Sequence, residues 1–277
     1  MLTGFFSDVQ NFSFFAEMLP PDKLVTLMNE YLGEMSSLLE QYEGTLDKYV
    51  GDGIVAMFGA PLASSDHAAR ACLCALTMQQ QMGQLHRRWL AQPARWPEAV
   101  GSLRMRIGLS TGQAVVGNMG SAHRFNYTMM GDAVNLAARC ESGAKLMGAY
   151  ILVTQSTVEA ALPQAPQLVF RELDHWRIPG RQTPLIVHEL VGWCDTISDQ
   201  TRECLRHYQQ GFRLYQQQRW AEAREQFLTA AAKEIFQPER DPGITTNPSL
   251  VMAKRCAEWQ ISPPPTDWDG TFAIGKH

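Results

Sequence analysis

The stretch Asp47–Gly53 constrains the fold of this chain more than any other. It lies between two strand-like apolar runs, Gly44–Val50 and Ile54–Phe58. An Asp-Gly pair between two such runs is typical of a β-hairpin, because a tight turn needs residues that tolerate positive φ. The pattern therefore predicts a hairpin that turns at Asp52 and Gly53, with the Asp52 carboxylate at one end of a sheet.

A second acid, Asp8, ends another apolar run, Leu2–Ser7. If this run pairs antiparallel with Ile54–Phe58, Asp8 and Asp52 meet at one edge of the sheet. Two facing carboxylates repel each other unless a cation lies between them, and Mg²⁺ or Mn²⁺ prefers such oxygen ligands. The sequence therefore predicts a divalent-metal site at Asp8 and Asp52.

The composition fits a globular protein with one large domain and a smaller one. The chain has 277 residues, of which 45% are hydrophobic, enough for a full core. A net charge of -4 gives no global basic field, so nucleic acid is not expected as a partner. The apolar runs are too short to span a membrane, and no signal peptide opens the chain. The abrupt start favours a piece of a longer protein.

Six cysteines lack metal-ligand spacing, which favours free thiols in a reducing cytosol.

Strand-like and helix-like segments alternate along most of the chain. This layout predicts an α+β fold, with helices on one face of a largely antiparallel sheet and a ferredoxin-like opening part. We expect a turn into a helix at Val9–Ser13, and a second turn at Ser110–Gly112 that joins two strands. The other predicted strands are Leu2–Asp8, Leu103–Leu109, Gln113–Gly117, Arg124–Met130, Tyr150–Val153, Gln167–Leu173 and Leu185–Val191. The predicted helices are one that begins at Pro20–Asp22 and stops at Gly44, one from the cap Asp66 to Leu90, and Val134–Met147, Thr201–Gln218 and Trp220–Lys233.

The character of the sequence changes near Ser198. Two helices with small and aromatic residues at Gly211, Ala223, Phe227 and Ala230 fit a single tetratricopeptide-like pair. We therefore predict a domain at residues 1–195 and a helical appendage at residues 196–277. The tail, with three prolines from residue 263, is expected to pack back on its own domain rather than bind a partner.

Four segments carry the candidate chemistry: Phe6–Val9, Lys48–Gly53, Tyr127–Asp132 and Val134–Arg139. Asn135 and Arg139 are four residues apart and share a helix face, where an amide and a guanidinium suit a sugar and a phosphate. Lys48 can only donate hydrogen bonds, whereas Thr128 can donate or accept. Together these two could read a base with both donor and acceptor positions, such as adenine.

In these four segments the sequence resembles the class III nucleotidyl cyclases, and the resemblance covers roughly Leu2–Leu190. It implies that Asp8 and Asp52, with the backbone of Val9, bind two Mg²⁺ or Mn²⁺ ions per site. Lys48 and Thr128 take the base-selecting positions, where the adenylate type has lysine with threonine and guanylate cyclases typically have glutamate and cysteine. Asn135 corresponds to the residue that orients the ribose, and Arg139 to the residue that stabilises the transition state.

The resemblance also implies two phosphate contacts. The triphosphate would lie on the loop formed by Val9, Gln10, Asn11, Phe12 and Ser13, although Gln10 and Asn11 stand where the family often has a basic or small residue and a glycine. Arg181 would contact the β- and γ-phosphates, but the family usually has a lysine there, within a Lys-Gly-Lys run.

The implied activity is conversion of ATP to 3′,5′-cyclic AMP and pyrophosphate by in-line attack of the ribose 3′-oxygen. The site would lie between two subunits of a homodimer, with Asp8 and Asp52 from one subunit. Lys48, Thr128, Asn135 and Arg139 would come from the other. The tail resembles that of bacterial cyclases with an amino-terminal sensor and membrane helices, so the chain would be a cytoplasmic output domain, membrane-linked only through that missing region. Two alternatives stay open: a guanylate cyclase, or a nucleotide-binding regulatory module without turnover.

Overall fold

The computed structural model describes residues 1–121 and 124–274. Two compact units are present: the first comprises residues 1–144 and 150–166, and the second comprises residues 145–149 and 167 onwards. This division differs from the one predicted at residues 195/196. The strands that follow residue 166, which we had assigned to the larger domain, belong to the second unit together with the C-terminal helices.

The first unit has a central sheet with helices between its strands. Its strand order is β7-β4-β1-β3-β2, in which β1 is antiparallel to both β3 and β4, and β4 is parallel to β7. The order β4-β1-β3-β2 with two crossover helices is that of a ferredoxin-like fold, the class predicted for the opening part, whereas the strand order itself was not predicted from the sequence. The elements, in chain order, are β1 (Leu2–Gln10), α1 (Phe12–Met18), α2 (Pro21–Gln41), β2 (Thr45–Val50), β3 (Gly53–Phe58), α3 (His67–Leu90), a 3₁₀ turn (Glu98–Ser102), β4 (Arg104–Gly112), β5 (Val115–Ser121), β6 (Arg124–Met130), α4 (Asp132–Met147), β7 (Ile151–Thr154) and α5 (Gln155–Ala161).

The predicted hairpin is β2–β3, but its turn lies one residue earlier than expected. Val50 pairs with Gly53, so the two turn residues are Gly51 and Asp52. Gly51 supplies the positive φ, at 62°, which glycine adopts without steric cost. Gly53 is needed for a different reason: a Cβ at this position would lie 2.6 Å from the backbone oxygen of Ser7. The tip of the hairpin therefore lies directly against the end of β1.

One predicted turn is shorter than expected, and the residues of the other belong to a strand. Strand β1 continues through Gln10, and α1 begins at Phe12, so only Asn11 separates the two. Strand β4 continues through Gly112, and the strand after it, β5, pairs with β6 in a separate two-stranded ladder. Neighbouring strands supply hydrogen bonds along the whole of β1 and β4, which makes the longer strands favourable.

Helix α2 packs on the sheet through one apolar stripe. Leu27, Tyr31, Met35 and Leu39 follow one another at four-residue intervals and are at most 2% exposed. This spacing places all four on one helix face, as the sequence pattern predicted. Burial of each such side chain stabilises the fold by about 1.5–3 kcal/mol.

The second unit contains β8 (Leu168–Arg177), β9 (Leu185–Trp193), α6 (Asp199–Gln216), α7 (Trp220–Ala231), α8 (Pro248–Ile261) and β10 (Phe272–Ala273). The predicted helical pair is α6 and α7, and Ala223, Phe227 and Ala230 are fully buried. A Cβ on Gly211 would lie 3.0 Å from the Phe227 ring, which explains why a small residue stands there. Helix α8 was not predicted from the sequence.

The tail folds back on the second unit, as predicted. Strand β10 pairs parallel with the end of β8. The Trp268 ring lies 5.1–5.4 Å from the rings of Tyr215, Trp220 and Trp259. Within the described residues, no helix combines the length and apolar character that a membrane crossing requires. The six cysteines are free, as predicted.

Candidate active site

Asp8 and Asp52 meet at one edge of the sheet, as the sequence predicted. Strand β1 pairs antiparallel with β3 up to Ser7 and Ile54, which brings the end of β1 beside the hairpin tip. Asp52 Oδ2 accepts a hydrogen bond of 2.9 Å from the backbone N–H of Val9. Burial raises the pKa of Asp52 to about 6, and the charge of Asp8 and a hydrogen bond with it act in the same direction, whereas the Val9 N–H opposes them. The nearby charge of Asp8 therefore adds to burial in disfavouring the ionised form of Asp52.

Two further charged residues lie beside this carboxyl pair. Arg106 stands directly opposite Asp8 across β1 and β4, and its Nη2 lies 3.4 Å from Asp8 Oδ2. Its Nε lies 3.8 Å from Glu141 Oε1, which is an ion pair without hydrogen-bonding geometry. Burial raises the pKa of Glu141 to about 7, with further contributions from the charges of Asp8 and Asp52 and opposition from Arg106. Three carboxyl groups are therefore held near a single arginine.

The donor set at Asp8 and Asp52 fits a hard divalent cation. The described residues contain no group of three or more His, Cys, Asp and Glu side chains that could hold a metal. Mg²⁺, however, is commonly bound through one or two carboxylates, with waters and substrate phosphates completing its octahedron. A cation between Asp8 and Asp52 would also relieve the repulsion between their two negative charges. These residues therefore suit Mg²⁺ or Mn²⁺, provided that a phosphate-bearing ligand supplies the remaining oxygens.

The predicted phosphate loop is partly revised by the structure. The N–H of Val9 donates to Asp52, and the contact of the Val9–Ser13 backbone with a triphosphate stays a prediction. Asn11 has a φ of 59° and a ψ of 28°, a left-handed conformation in which asparagine is several-fold enriched among non-glycine residues. Asn11 therefore provides the left-handed backbone geometry that a glycine would. Helix α1 begins directly after it, with Phe12 and Ser13.

Lys48 and Thr128, the predicted base-reading pair, lie in contact. Lys48 Nζ donates to Thr128 Oγ1 at 3.4 Å. Asp47, to which we had given no role, lies beside both: the Thr128 hydroxyl donates to Asp47 Oδ2 at 2.5 Å, and Lys48 Nζ lies 3.3 Å from Asp47 Oδ1. These three residues therefore present an ammonium group and a hydroxyl group side by side, with a carboxylate behind them.

Asn135 and Arg139 lie on the exposed face of α4. The opposite face of this helix carries the buried residues Ala133, Ala137 and Cys140. Glu141, whose charge interacts with Asp8 and Asp52, follows Arg139 by two residues, which is about 200° around a helix. Arg139 is therefore directed away from the carboxyl pair of its own chain.

Arg181 lies in the second unit, in the segment between β8 and β9, where its Nε is 3.4 Å from the Thr183 oxygen. Its predicted contact with phosphates stays a prediction.

The comparison with protein families decides the classification. The family model described as "Adenylate and Guanylate cyclase catalytic domain" matches residues 2–192. The chain belongs to this family. This cyclase domain is 33% identical over 192 residues to Adenylate cyclase 1 of Rhizobium meliloti, a match that covers 69% of the chain and 27% of the relative. It is 28% identical to the terminal-differentiation specific adenylate cyclase of Dictyostelium discoideum, with 93% of the chain and 11% of the relative covered. The chain thus spans about a quarter or less of the length of these two relatives.

Solved cyclase structures share the fold of this cyclase domain. The adenylyl cyclase CyaB from P. aeruginosa aligns with a TM-score of 0.61 and 32% identity, over 71% of this chain and 96% of that one. The guanylyl cyclase Cya2 aligns with a TM-score of 0.60 and 30% identity, over 71% of this chain and 94% of that one. Two enzymes named for different nucleotides thus match almost equally well. The fold therefore does not decide between ATP and GTP, and the decision falls to individual side chains.

Three charged residues of this site were missed in the sequence analysis. The sequence placed Asp47 only within the predicted hairpin, and it gave no role to Glu141. Arg104 and Arg106 interrupt the apolar run Leu103–Leu109, and charged residues inside a predicted strand were the available signal.

Proposed function

We propose that this chain is an adenylate cyclase that converts ATP to 3′,5′-cyclic AMP and pyrophosphate. The observation that carries the proposal is the carboxyl pair formed by Asp8 and Asp52. These two residues are far apart in the sequence, yet Asp52 accepts a hydrogen bond from Val9, the residue next to Asp8. Burial, with a smaller contribution from the Asp8 charge, raises the pKa of Asp52 to about 6. Such a pair, in a chain of the cyclase catalytic domain family, suits two divalent cations with a triphosphate. When bound, these cations supply positive charge for the triphosphate and lower the pKa of the attacking hydroxyl.

The remaining residues bind and orient the nucleotide. Asn135 holds the ribose, and Arg139 offsets the charge that grows on the α-phosphoryl oxygens, a contribution typically worth about 10²–10³ in rate. The 3′-oxygen loses its proton and bonds to the α-phosphorus, while the bond from that phosphorus to the bridging oxygen of pyrophosphate breaks. Backbone groups at Gln10–Ser13 and the guanidinium of Arg181 are proposed to hold the departing phosphates.

The contact between Lys48 and Thr128 favours ATP over GTP. Adenine offers an acceptor at N1 and a donor at its exocyclic amino group. Lys48 can only donate and therefore suits N1, whereas the hydroxyl oxygen of Thr128 can accept from the amino group. The two side chains lie 3.4 Å apart, a spacing that suits two adjacent positions of one base.

We propose that the active site is shared between two copies of the chain. Arg139 is directed away from Asp8 and Asp52 of its own chain, so one chain alone does not bring them to one nucleotide. A two-fold homodimer would join the carboxyl pair of one copy to Lys48, Thr128, Asn135 and Arg139 of the other, and would form two equivalent sites. Large apolar side chains that an interface would cover are exposed on β2, β5 and β6: Val50, Val115, Phe125, Tyr127 and Met130.

The proposal is tested with the purified chain, ATP or GTP, and Mg²⁺ or Mn²⁺. We expect cyclic AMP as the main product, with specific activity that rises with protein concentration as dimers form. The Asp52→Ala variant should lose about 10²-fold or more of this activity. A folded dimer that binds ATP with metal and never forms a cyclic product would support the regulatory-module alternative. Equal or better use of GTP would support the guanylate cyclase alternative.

A further inference from the structure

We propose that Asp47 is a specificity-determining residue. Its buried carboxylate holds the Thr128 hydroxyl so that this hydroxyl presents only an acceptor to the nucleotide base, which selects adenine over guanine. The inference rests on the proposed function, because it takes Lys48 and Thr128 as the residues that bind the base.

A β-bulge brings the Asp47 side chain beside Lys48 and Thr128. The ladder between β2 and β3 pairs Leu46 with Ala56 and then Lys48 with Val55, so Asp47 is the extra residue of β2. In a regular strand, two consecutive side chains point to opposite faces of the sheet. A bulge re-aims them, and bulges are over-represented next to active sites. Here the side chains of Asp47 and Lys48 both reach the same hydroxyl, that of Thr128.

The hydrogen-bonding capacity of Thr128 then fixes what the base meets. A hydroxyl group has one donor and two acceptor positions. An ionised carboxylate can only accept, so the hydrogen of Thr128 is committed to Asp47 Oδ2 at 2.5 Å. An ammonium group can only donate, so Lys48 occupies one acceptor position. The position that is left is an acceptor.

This remaining acceptor distinguishes the two purines. Adenine carries an amino group at C6, which donates to an acceptor. Guanine carries a carbonyl oxygen at C6, which meets the acceptor position of Thr128 and receives no hydrogen bond from it. An unsatisfied polar group away from water is costly, so guanine is disfavoured.

Burial of the Asp47 carboxylate keeps its hydrogen bond with Thr128 in place. The side chain of Asp47 is 1% exposed, whereas that of Lys48 is 41% exposed. Water therefore cannot readily replace the hydroxyl of Thr128 as the donor to Asp47. The Thr128 hydroxyl therefore keeps its acceptor side towards a nucleotide, while Lys48 stays accessible to that nucleotide.

The test compares ATP and GTP binding to the full chain, measured by displacement of a fluorescent nucleotide in the presence of Mg²⁺. We expect Asp47→Asn to reduce the ratio of ATP affinity to GTP affinity about tenfold, which corresponds to about 1.4 kcal/mol. Asp47→Ala should do the same, since the freed hydroxyl can then donate to guanine, and this variant serves if Asp47→Asn does not fold. As a matched control, Asn replaces Asp267, an exposed tail residue, and the ratio should stay at the wild-type value.

A Thr128→Val background tests whether Asp47 acts on the affinity ratio through the Thr128 hydroxyl. Without a hydroxyl to orient, Asp47→Asn should leave the ratio unchanged. An unchanged ratio in a folded single variant, or an equally large change in the Thr128→Val background, would overturn the inference. So would a wild-type chain without ATP preference. An Asp47-dependent ATP preference without any cyclic product would support the inference and refute the proposed enzyme.

Discussion

Asp52 accepts a hydrogen bond from the backbone of Val9 across 2.9 Å, which joins the tip of the β2–β3 hairpin to the end of β1. This bond fixes one carboxylate oxygen of Asp52 close to Asp8, the residue that precedes Val9 in β1. The backbone donor partly offsets the effects of burial and of the Asp8 charge on the pKa of Asp52. The site is thus prepared for a cation by the fold itself, at the cost of a raised pKa.

The first prediction concerns pH and metal. Folded Asp52 keeps its proton up to about pH 6, whereas the unperturbed pKa is 3.8. Between these pH values the folded state binds more protons than the unfolded state, so the free energy of unfolding of the metal-free protein falls as the pH rises. Mg²⁺ competes with this proton. We therefore expect Mg²⁺ to raise the Tm more at pH 7.5 than at pH 5.

Differential scanning fluorimetry with Mg²⁺ or with EDTA measures this difference. In Asp52→Asn, the Mg²⁺-dependent rise should largely disappear at both pH values. An equal rise at pH 5 and pH 7.5 in the wild-type chain would show that cation binding does not depend on the protonation of Asp52.

The second prediction concerns Asn11. Its left-handed backbone, with φ at 59°, is strained for β-branched residues but not for glycine. Asn11→Gly should change the free energy of unfolding by less than about 1 kcal/mol, and Asn11→Val should lower it by about 1–2 kcal/mol. Urea unfolding of both variants gives the comparison. Equal stability of the Gly and Val variants would mean that this conformation does not hold in solution.

The third prediction concerns the tail. Trp268 packs against Tyr215, Trp220 and Trp259, and its Nε1 donates to the Thr271 oxygen at 2.7 Å. Trp268→Ala should destabilise the second unit by about 3 kcal/mol. Ile261→Ala is the matched control, because Ile261 is 87% exposed and its loss should change stability by no more than about 0.5 kcal/mol. Similar urea midpoints for the two variants would contradict a packed tail.

The meeting of Asp8 and Asp52 could be predicted because it follows from one strand pairing and one hairpin. The exact turn could not, since glycines stand on both sides of Asp52. The close approach of Ser7 to Gly53, which is a tertiary contact, accompanies the choice of Gly51 and Asp52 as the turn. The conformational propensities of neighbouring residues do not predict that contact, because Ser7 and Gly53 are far apart in the sequence.

Asp47 and Arg106 show a second limit of sequence reasoning. The role of Asp47 depends on a bulge, and the alternation of apolar and polar residues does not mark where a ladder gains an extra residue. Arg106 acquires its role because β4 pairs with β1 in a register that places Arg106 opposite Asp8. Strand order was left open by the sequence, so this pairing became visible only in the fold.

The central claim is that one nucleotide is held by two copies of the chain, and a mixing experiment tests it most directly. Asp52→Ala and Arg139→Ala alter opposite halves of the shared site, so each variant alone should form almost no cyclic AMP from ATP. Equal amounts mixed and allowed to exchange subunits should recover about a quarter of the wild-type activity, because half of the dimers then contain one intact site out of two. A mixture no more active than the separate variants would contradict the shared site.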